Sequence, residues 1–140
     1  MKYITGQFAL NLPCSLETCG DWHTSALDWS KLTLSESENS IFKDYGIEPC
    51  TCVPDHDDKY YVANTLRALL DLLESNNLGL AQGIKDDFIC NDTYTKEFFS
   101  KVILLQSCAH WDGLNSLMLR EYKCEWLDYL EEQNGQTITR

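Results

Sequence analysis

The segment YYVANTLRALLDLL, residues 60–73, carries the clearest periodic pattern in the chain. Its apolar side chains recur at positions i, i+4, i+7, i+8 and i+11, which lie on one side of an α-helix. Two acidic residues, Asp57 and Asp58, precede the segment, where negative charge offsets the N-terminal end of a helix dipole. The pattern predicts a core helix that begins near Tyr60, ends at 76–79 and buries Val62, Leu66, Leu69, Leu70 and Leu73.

Two further helices are predicted on the C-terminal side of this segment. One begins near Thr93, and the other runs from Asp112, a candidate N-cap, to Glu132. The residues between the first two helices, 78–91, fit either a short helix or an ordered loop. We expect the three helices to share one core, to which the later two contribute Phe98, Val102, Leu117, Met118 and Trp126. The same apolar faces also carry Leu105 on the second helix and Leu114, Tyr122, Tyr129 and Leu130 on the third.

The first 58 residues differ from the rest, because they hold all three prolines and have no sustained helical period. Residues 2–5 and 7–12 carry strand-forming side chains on either side of a glycine. Within the second piece, Phe8, Leu10 and Leu12 alternate as they would in a half-buried strand. Both pieces are therefore predicted to be strands.

The rest of the N-terminal part predicts short elements joined by turns. Residues 25–34 alternate loosely and indicate a second strand or a strand pair. Residues 35–40 indicate a polar loop, and 46–54 a connector punctuated by glycine and proline. We therefore predict an α+β fold in which a small N-terminal antiparallel sheet packs on about three C-terminal helices. We expect residues 1–140 to form a single domain made of a strand- and loop-rich acidic part (1–58), a helical part (59–133) and a frayed tail (134–140).

The composition excludes several classes of function. The chain has 140 residues, about the size of one domain, and 44% of them are hydrophobic, which is too many for a disordered protein. Its 22 acidic and 11 basic residues give a net charge of −11, which argues against direct binding to nucleic acid or to an anionic membrane. No stretch has the length of a membrane span or the apolar core of a signal peptide. We therefore expect a cytoplasmic protein.

Seven cysteines without an export signal favour reduced thiols over a disulfide framework. Cys90, Cys108 and Cys124 sit in or beside apolar runs, and we expect them to fill core space, as buried free cysteines do. The remaining four belong to two clusters with histidines, Cys14/Cys19/His23 and Cys50/Cys52/His56.

These clusters leave an alternative function open. Two groups of thiolates and imidazoles separated by a loop could hold zinc, but the Cys-x-Cys spacing is awkward for one tetrahedral metal. A cysteine nucleophile could also pair with a nearby histidine, as Cys19 with His23 or Cys108 with His110. Because such spacings are weak signals, we expect no bound metal and no cofactor. The alternative function is a small metal-binding or cysteine-dependent enzyme domain.

Most catalytic motifs are missing from the chain. The seven glycines are too far apart for a dinucleotide-binding fingerprint, and no Gly-Lys pair exists to form a phosphate-binding loop. The sequence contains neither a zinc-protease helix motif nor the serine elbow of the α/β-hydrolases. We therefore expect a protein that is not an enzyme and has no catalytic residues.

Acidic residues are densest in the N-terminal half. Between Glu17 and Asp58 there are ten acidic residues and two lysines, with aromatic residues among them. Such a surface would attract a basic protein such as a toxin or nuclease, and tryptophans would anchor the contact. The expected function is to neutralise or regulate a nucleic-acid-handling partner, as antitoxins, anti-restriction and anti-CRISPR proteins do; the plain alternative is a charge that only keeps the protein in solution. The candidate partner-binding residues are Asp21, Trp22, Asp28, Trp29, Glu36, Glu38, Asp44, Asp55, Asp57 and Asp58.

One resemblance covers most of the chain. The opening Ile4-Thr5-Gly6-x-x-Ala9-Leu10-Asn11-x-Pro13-Cys14, continued by Gly20-Asp21-Trp22-His23, resembles a pattern found in a family of small bacterial proteins. The stretches 61–73 and 87–91 resemble parts of the same set. The resemblance implies no activity, cofactor or catalytic residue. The expected function therefore depends on charge and composition.

Overall fold

The computed structural model describes residues 1–16, 18, 27–50 and 53–138, and within 134–138 it describes the backbone only. The fold is α+β, as predicted, with short antiparallel strand pairs in the N-terminal half and helices toward the C-terminus. The strands are β1 (Lys2–Tyr3), β2 (Ser35–Glu36), β3 (Ile47–Cys50) and β4 (Tyr60–Ala63). The α-helices are α1 (Gly6–Leu10), α2 (Thr65–Glu74), α3 (Thr95–Val102), α4 (Trp111–Tyr122) and α5 (Cys124–Ile138).

The strands form two antiparallel pairs, β1 with β2 and β3 with β4. Ile4 connects the pairs, because its amide donates to the carbonyl of Tyr61 at 2.9 Å and its carbonyl accepts from the amide of Ala63 at 2.8 Å. This parallel bridge sets the strand order β2–β1–β4–β3. The short sheet-like layer therefore carries the N-terminus across to the strand that leads directly into α2.

Helix α2 begins later than the periodic pattern predicted. Residues 60–63 pair with β3 instead of forming the first helical turn, and the side chain of Asn64 accepts from the amide of Arg67 at 2.9 Å, as an N-cap does. The prediction that the helical part starts near Tyr60, with Asp57 and Asp58 at its N-terminus, was wrong. Aromatic and β-branched side chains at 60–62 favour a strand, and this preference prevailed over the apolar period.

The predicted core is confirmed. Leu66, Leu69, Leu70 and Leu73 on α2 are fully buried, and Val62 joins them from β4. Phe98, Val102, Leu105, Leu114, Leu117, Met118, Tyr122 and Trp126 belong to the same buried cluster, whereas Tyr129 and Leu130 are only partly buried against it. The core therefore lies between α2 and the C-terminal helices, and the strands cover its other side.

The predicted helix from Asp112 to Glu132 is two helices. Lys123 separates them with φ 55° and ψ −124°, a conformation that residues other than glycine rarely adopt, and neither proline nor glycine marks the break. Asp112 lies inside the first turn of α4 and is not its N-cap. The break turns α5 back onto α4, where the indole of Trp126 donates to Asn115 at 2.7 Å. Helix α5 continues to Ile138, into the tail that we expected to fray.

The N-terminal part departs most from the prediction. The alternating stretch 7–12 is not a strand, because residues 6–10 form α1 and bury Gly6, Ala9 and Leu10 at helical spacing. Of the predicted strand 25–34, the first two residues lie outside the described ones, and 29–31 form a 3-10 helix.

Short regular elements also form in the three segments that the sequence predicted to be a loop, a connector and either a short helix or a loop. The predicted loop 35–40 contains β2 and a 3-10 turn, and the connector 46–54 contains β3. Residues 84–89 form a π-type helix, so the ambiguous stretch 78–91 is partly helical.

Replacing Leu69 with alanine tests the buried face of α2. The side chain is fully buried, so we expect Leu69→Ala to lower the free energy of unfolding by about 2–5 kcal/mol. The matched control is Leu127→Ala, since Leu127 is also helical but 45% exposed, and its loss should stay within about 0.5 kcal/mol. Urea unfolding measures both. A loss at Leu69 as small as that at Leu127 would contradict the core described here.

Candidate functional site

A fully buried arginine lies near the start of α2. Arg67, in the first turn of this helix, uses all three guanidinium nitrogens. Its Nε donates to Asp71 Oδ1 at 2.8 Å, Nη1 donates to the carbonyls of Lys43 and Tyr45 at 2.6 Å each, and Nη2 donates to the Tyr3 hydroxyl at 2.9 Å. These bonds tie α2 to β1 and to the 43–45 turn.

The backbone approaches Arg67 closely enough to require glycine at one position. Gly46 has φ 72°, and a Cβ there would lie 2.7 Å from Arg67 Cβ. Any side chain at position 46 would therefore push the 43–46 turn away from the guanidinium. The Tyr3 and Phe42 rings also lie 5.0 and 5.7 Å from the guanidinium carbon, within the range of cation–π contacts.

Asp71 is the charge partner of Arg67 and extends the buried ion pair toward solvent. Its Oδ1 pairs with Arg67, while Oδ2 accepts from the Tyr3 hydroxyl and from Thr5 Oγ1, both at 2.6 Å. Burial, together with the hydrogen bond to Asp71, raises the pKa of Tyr3 above its usual value. Tyr3 therefore keeps its proton and acts as a hydrogen-bond donor, not as a base.

A cleft of about 550 Å³ opens on the solvent side of Asp71, between α2 and β2; we refer to it as the α2–β2 cleft. Its walls come from the N-terminal strand, the 34–40 segment and the C-terminal turn of α2. Three carboxylates and several hydroxyls face it, and none of its lining side chains is basic. The lining residues are Tyr3, Thr5, Leu34, Ser35, Glu36, Asn39, Ser40, Asp71, Glu74 and Ser75.

The carboxylates of the cleft differ in their partners. Glu74 accepts from Ser40 Oγ at 2.8 Å and from the amide of Ile41 at 3.0 Å, and among the described residues no cation lies within 4.0 Å of it. Glu36 lies 3.6 Å from the terminal ammonium of Met1, which is closer to Glu38 at 3.2 Å. Glu74 is therefore the least neutralised charge in the cleft.

Four of the predicted partner-binding carboxylates are brought together elsewhere. The ring Nε2 of His56 lies 2.9 Å from the carbonyl oxygen of Trp29, which places the 53–58 turn beside the 28–31 turn. Asp28, Asp55, Asp57 and Asp58 are all exposed on these two turns. We call them the Asp28–Asp58 group. Two pieces of chain that are far apart in sequence thus lie side by side, and both carry exposed carboxylates, which Lys31 and Lys59 only partly offset.

The other predicted partner-binding residues have mixed outcomes. Glu36 lines the cleft, Glu38 pairs with the terminal ammonium of Met1, and Asp44 is exposed on the 43–45 turn, whose carbonyls accept from Arg67. Asp21 and Trp22 lie outside the described residues.

Trp29 was predicted wrongly as a contact residue. It is only 3% exposed, and its ring packs edge-on against Phe8 with centroids 5.0 Å apart. It is a core side chain that α1 covers. A partner can therefore reach the acidic turn around Trp29, but not the tryptophan itself.

Sequence reasoning missed Asp71, Glu74 and Ser40 as site residues. One signal was available: an arginine in the middle of an apolar helical face, with an aspartate four residues later, indicates a buried ion pair. The position of Ser40 opposite Glu74 depends on a contact 34 residues away in sequence, and no local pattern predicts it.

The metal-binding alternative falls partly outside the described residues, since Cys19, His23 and Cys52 are among those not described. Among the residues that are described, no three His, Cys, Asp or Glu side chains lie close enough to hold a metal ion. Both ring nitrogens of His56 are in use, one against Trp29 and the other 3.0 Å from the Tyr60 hydroxyl. Cys14 lies 3.5 Å from the hydroxyl of Thr65.

The other cysteines are not the core fillers that we predicted. Cys90 and Cys124 are exposed, so that prediction was wrong for both, and Cys108 is half-buried. His110, the proposed partner of Cys108, places Nε2 2.7 Å from the carbonyl of Leu73 at the end of α2. That nitrogen therefore caps a helix instead of activating a thiol.

The comparisons with known proteins return no relatives: no family model, no curated protein and no solved structure matches the chain. Within the described residues, none of the helices has the length and apolar character needed to cross a bilayer. A binding role for the cleft is therefore argued from its charge and shape alone.

Removing the charge of Asp71 tests the buried ion pair. We expect Asp71→Asn to destabilise the protein by about 3 kcal/mol, because it leaves the guanidinium of Arg67 buried without a counter-charge. Glu74→Gln is the matched control, since it removes a carboxylate of the same cleft that pairs with no cation in the described part of the chain, and it should cost below about 1 kcal/mol. Urea unfolding at pH 7 compares the two. Equal losses of unfolding free energy would show that the Arg67–Asp71 ion pair stabilises the fold no more than the hydrogen bonds of Glu74 do.

Proposed function

We propose that this protein is a non-enzymatic inhibitor or regulator that binds a basic, nucleic-acid-handling protein through its acidic surface. Toxins, restriction enzymes and CRISPR nucleases are examples of such basic proteins. The observation that supports the proposal most is the convergence of the Asp28–Asp58 group from two distant pieces of chain.

The charge of the molecule supports a basic partner. The net charge is −11, and the arginine in α2 is buried and paired, so it is not available at the surface. Lys85, another cation, is paired with Glu125 at 2.9 Å. Proteins that act on nucleic acid carry clustered Lys and Arg for the phosphates. An acidic surface opposite such a cluster speeds encounter and blocks the access of nucleic acid.

The described polar groups suit binding better than catalysis. A nucleophile needs a neighbouring base, but Ser40 donates to Glu74, and neither of the described histidines is bonded to it. His56 and His110 are each bonded to a main-chain carbonyl. Tyr3 and Asp71 are fixed by the buried arginine. These contacts hold the fold together and present carboxylates to solvent.

Affinity capture followed by a kinetic salt series tests the proposal. The full chain serves as bait in a lysate of its host, and captured proteins are identified by mass spectrometry. We expect a basic nucleic-acid-binding protein whose association rate, measured by surface plasmon resonance, falls strongly with salt. The reason is that the Debye length shrinks from about 10 Å at 0.1 M to about 3 Å at 1 M salt.

A pair of triple variants separates local charge from net charge. Asp55→Asn, Asp57→Asn and Asp58→Asn together should lower the association rate about tenfold, with a smaller effect on dissociation. The control is Asp128→Asn, Glu131→Gln and Glu132→Gln, which removes the same charge from exposed positions of α5. An association rate indifferent to salt, or equal effects of the two triple variants, would contradict the proposal.

A further inference from the structure

Two large exposed apolar residues belong to the segment that borders the α2–β2 cleft. Leu34 lines the cleft and is 41% exposed, and Ile41, which follows the lining residue Ser40, is 46% exposed. The position of Ile41 is fixed, because its amide donates to Glu74, a lining residue of the same cleft. Apolar side chains that remain in solvent beside a concavity are typical of a docking surface.

The cleft also has a definite charge. Of its three carboxylates, Asp71 pairs with Arg67, which lies underneath it and away from solvent, and Glu36 lies 3.6 Å from the terminal ammonium of Met1. Glu74 has no cation within 4.0 Å among the described residues. A lysine or arginine side chain entering from solvent would therefore meet free acceptor positions on Glu36 and Glu74.

We infer that the α2–β2 cleft docks a segment of the basic partner that carries one Lys or Arg side chain flanked by apolar side chains. The cation lies against Glu36 and Glu74, and the apolar groups cover Leu34 and Ile41. A volume of about 550 Å³ falls within the roughly 300–1,000 Å³ of ordinary binding pockets, which suits a short stretch of chain. The inference rests on the proposed function and names the site and the binding chemistry.

Charge complementarity also distinguishes this occupant from two others. A second copy of the chain would bring a net charge of −11 against an already acidic cleft. A small polyamine would satisfy the carboxylates but would leave Leu34 and Ile41 in water. A basic segment with apolar neighbours matches both features at once.

Titration with a defined peptide tests the inference. The probe is an acetylated nine-residue peptide with Leu, Lys and Leu at its third, fifth and seventh positions and Gly or Ser elsewhere, which places the three side chains on one face of an extended chain. Backbone amide shifts in two-dimensional NMR report where it binds. Control peptides replace Lys with Glu, or both Leu with Ser, and spermidine is titrated separately.

We expect the largest shifts at residues 34–41 and at the end of α2, with affinity at least about fivefold weaker for each control peptide and for spermidine. Shifts that map to the Asp28–Asp58 group instead, or no shifts at all, would overturn the inference. Equal binding by the peptide with Glu, or by spermidine, would overturn it too. A dimer of the free protein that analytical ultracentrifugation detects and that Leu34→Ser abolishes would assign the face to a second copy.

Matched variants check the two halves of the interaction. Glu36→Gln with Glu74→Gln should weaken the probe at least about fivefold, whereas Asp112→Asn, an exposed carboxylate on α4, should not. Urea unfolding of the same variants confirms that they remain folded. Unchanged affinity in the folded double variant would overturn the inference.

A second pair of variants tests the apolar half of the interaction. Leu34→Ser with Ile41→Ser should also lower the affinity for the probe at least about fivefold. Leu127→Ser, which changes an exposed leucine on α5, should leave that affinity unchanged. If the cleft variants bind the probe as tightly as the unchanged protein while the captured partner still associates at a salt-sensitive rate, the cleft is excluded as the docking site and the proposed function stands. Loss of salt sensitivity in the captured partner would instead contradict the proposed function.

Discussion

The buried guanidinium of Arg67 is the interaction on which the N-terminal half depends. A fully buried charge is costly unless it is paired and hydrogen-bonded, and here each nitrogen has a partner: Asp71, the Tyr3 hydroxyl, and two main-chain carbonyls of the 43–45 turn. Short strands of two residues are weak elements by themselves. The arginine connects β1 and the 43–45 turn to α2, a helix that is buried in the apolar core. It therefore positions Tyr3 and Asp71, two of the residues that line the α2–β2 cleft.

The helical core could be predicted from sequence because its signal is local and repeated. The face of α2 formed by Leu66, Leu69, Leu70 and Leu73 follows directly from helical spacing, and its partners on α3 to α5 do as well. The break at Lys123 could not be predicted, since a residue with a Cβ adopts there a conformation that glycine usually provides. The start of α2 was misplaced for a related reason: pairing of residues 60–63 with β3 is a long-range contact that the periodic pattern does not contain.

The candidate site was harder to predict than the core. Composition indicated an acidic surface, and the pairing of the 28–31 turn with the 53–58 turn brings Asp28 and Asp55 together from distant positions. Trp29 was assigned to that surface because tryptophan is common in interfaces, yet α1 covers it. The cleft itself depends on contacts that join residues 34 to 68 positions apart, such as Ser40 with Glu74 and Tyr3 with Asp71. Of these contacts, only the buried Arg67–Asp71 pair could be recognised from the local sequence, because its two residues are four positions apart on one helix.

Hydrogen exchange at the Arg67 side chain tests this account most directly. The Nε proton donates to Asp71 inside the fold, so its exchange with solvent, followed by NMR, should be as slow as that of the core amides of α2. Arg120 is exposed on α4 and provides the internal reference for fast exchange. Protection at Arg67 that is lost only on global unfolding is the predicted result. Exchange at Arg67 as fast as at Arg120 would mean that the guanidinium reaches solvent, and would contradict the account.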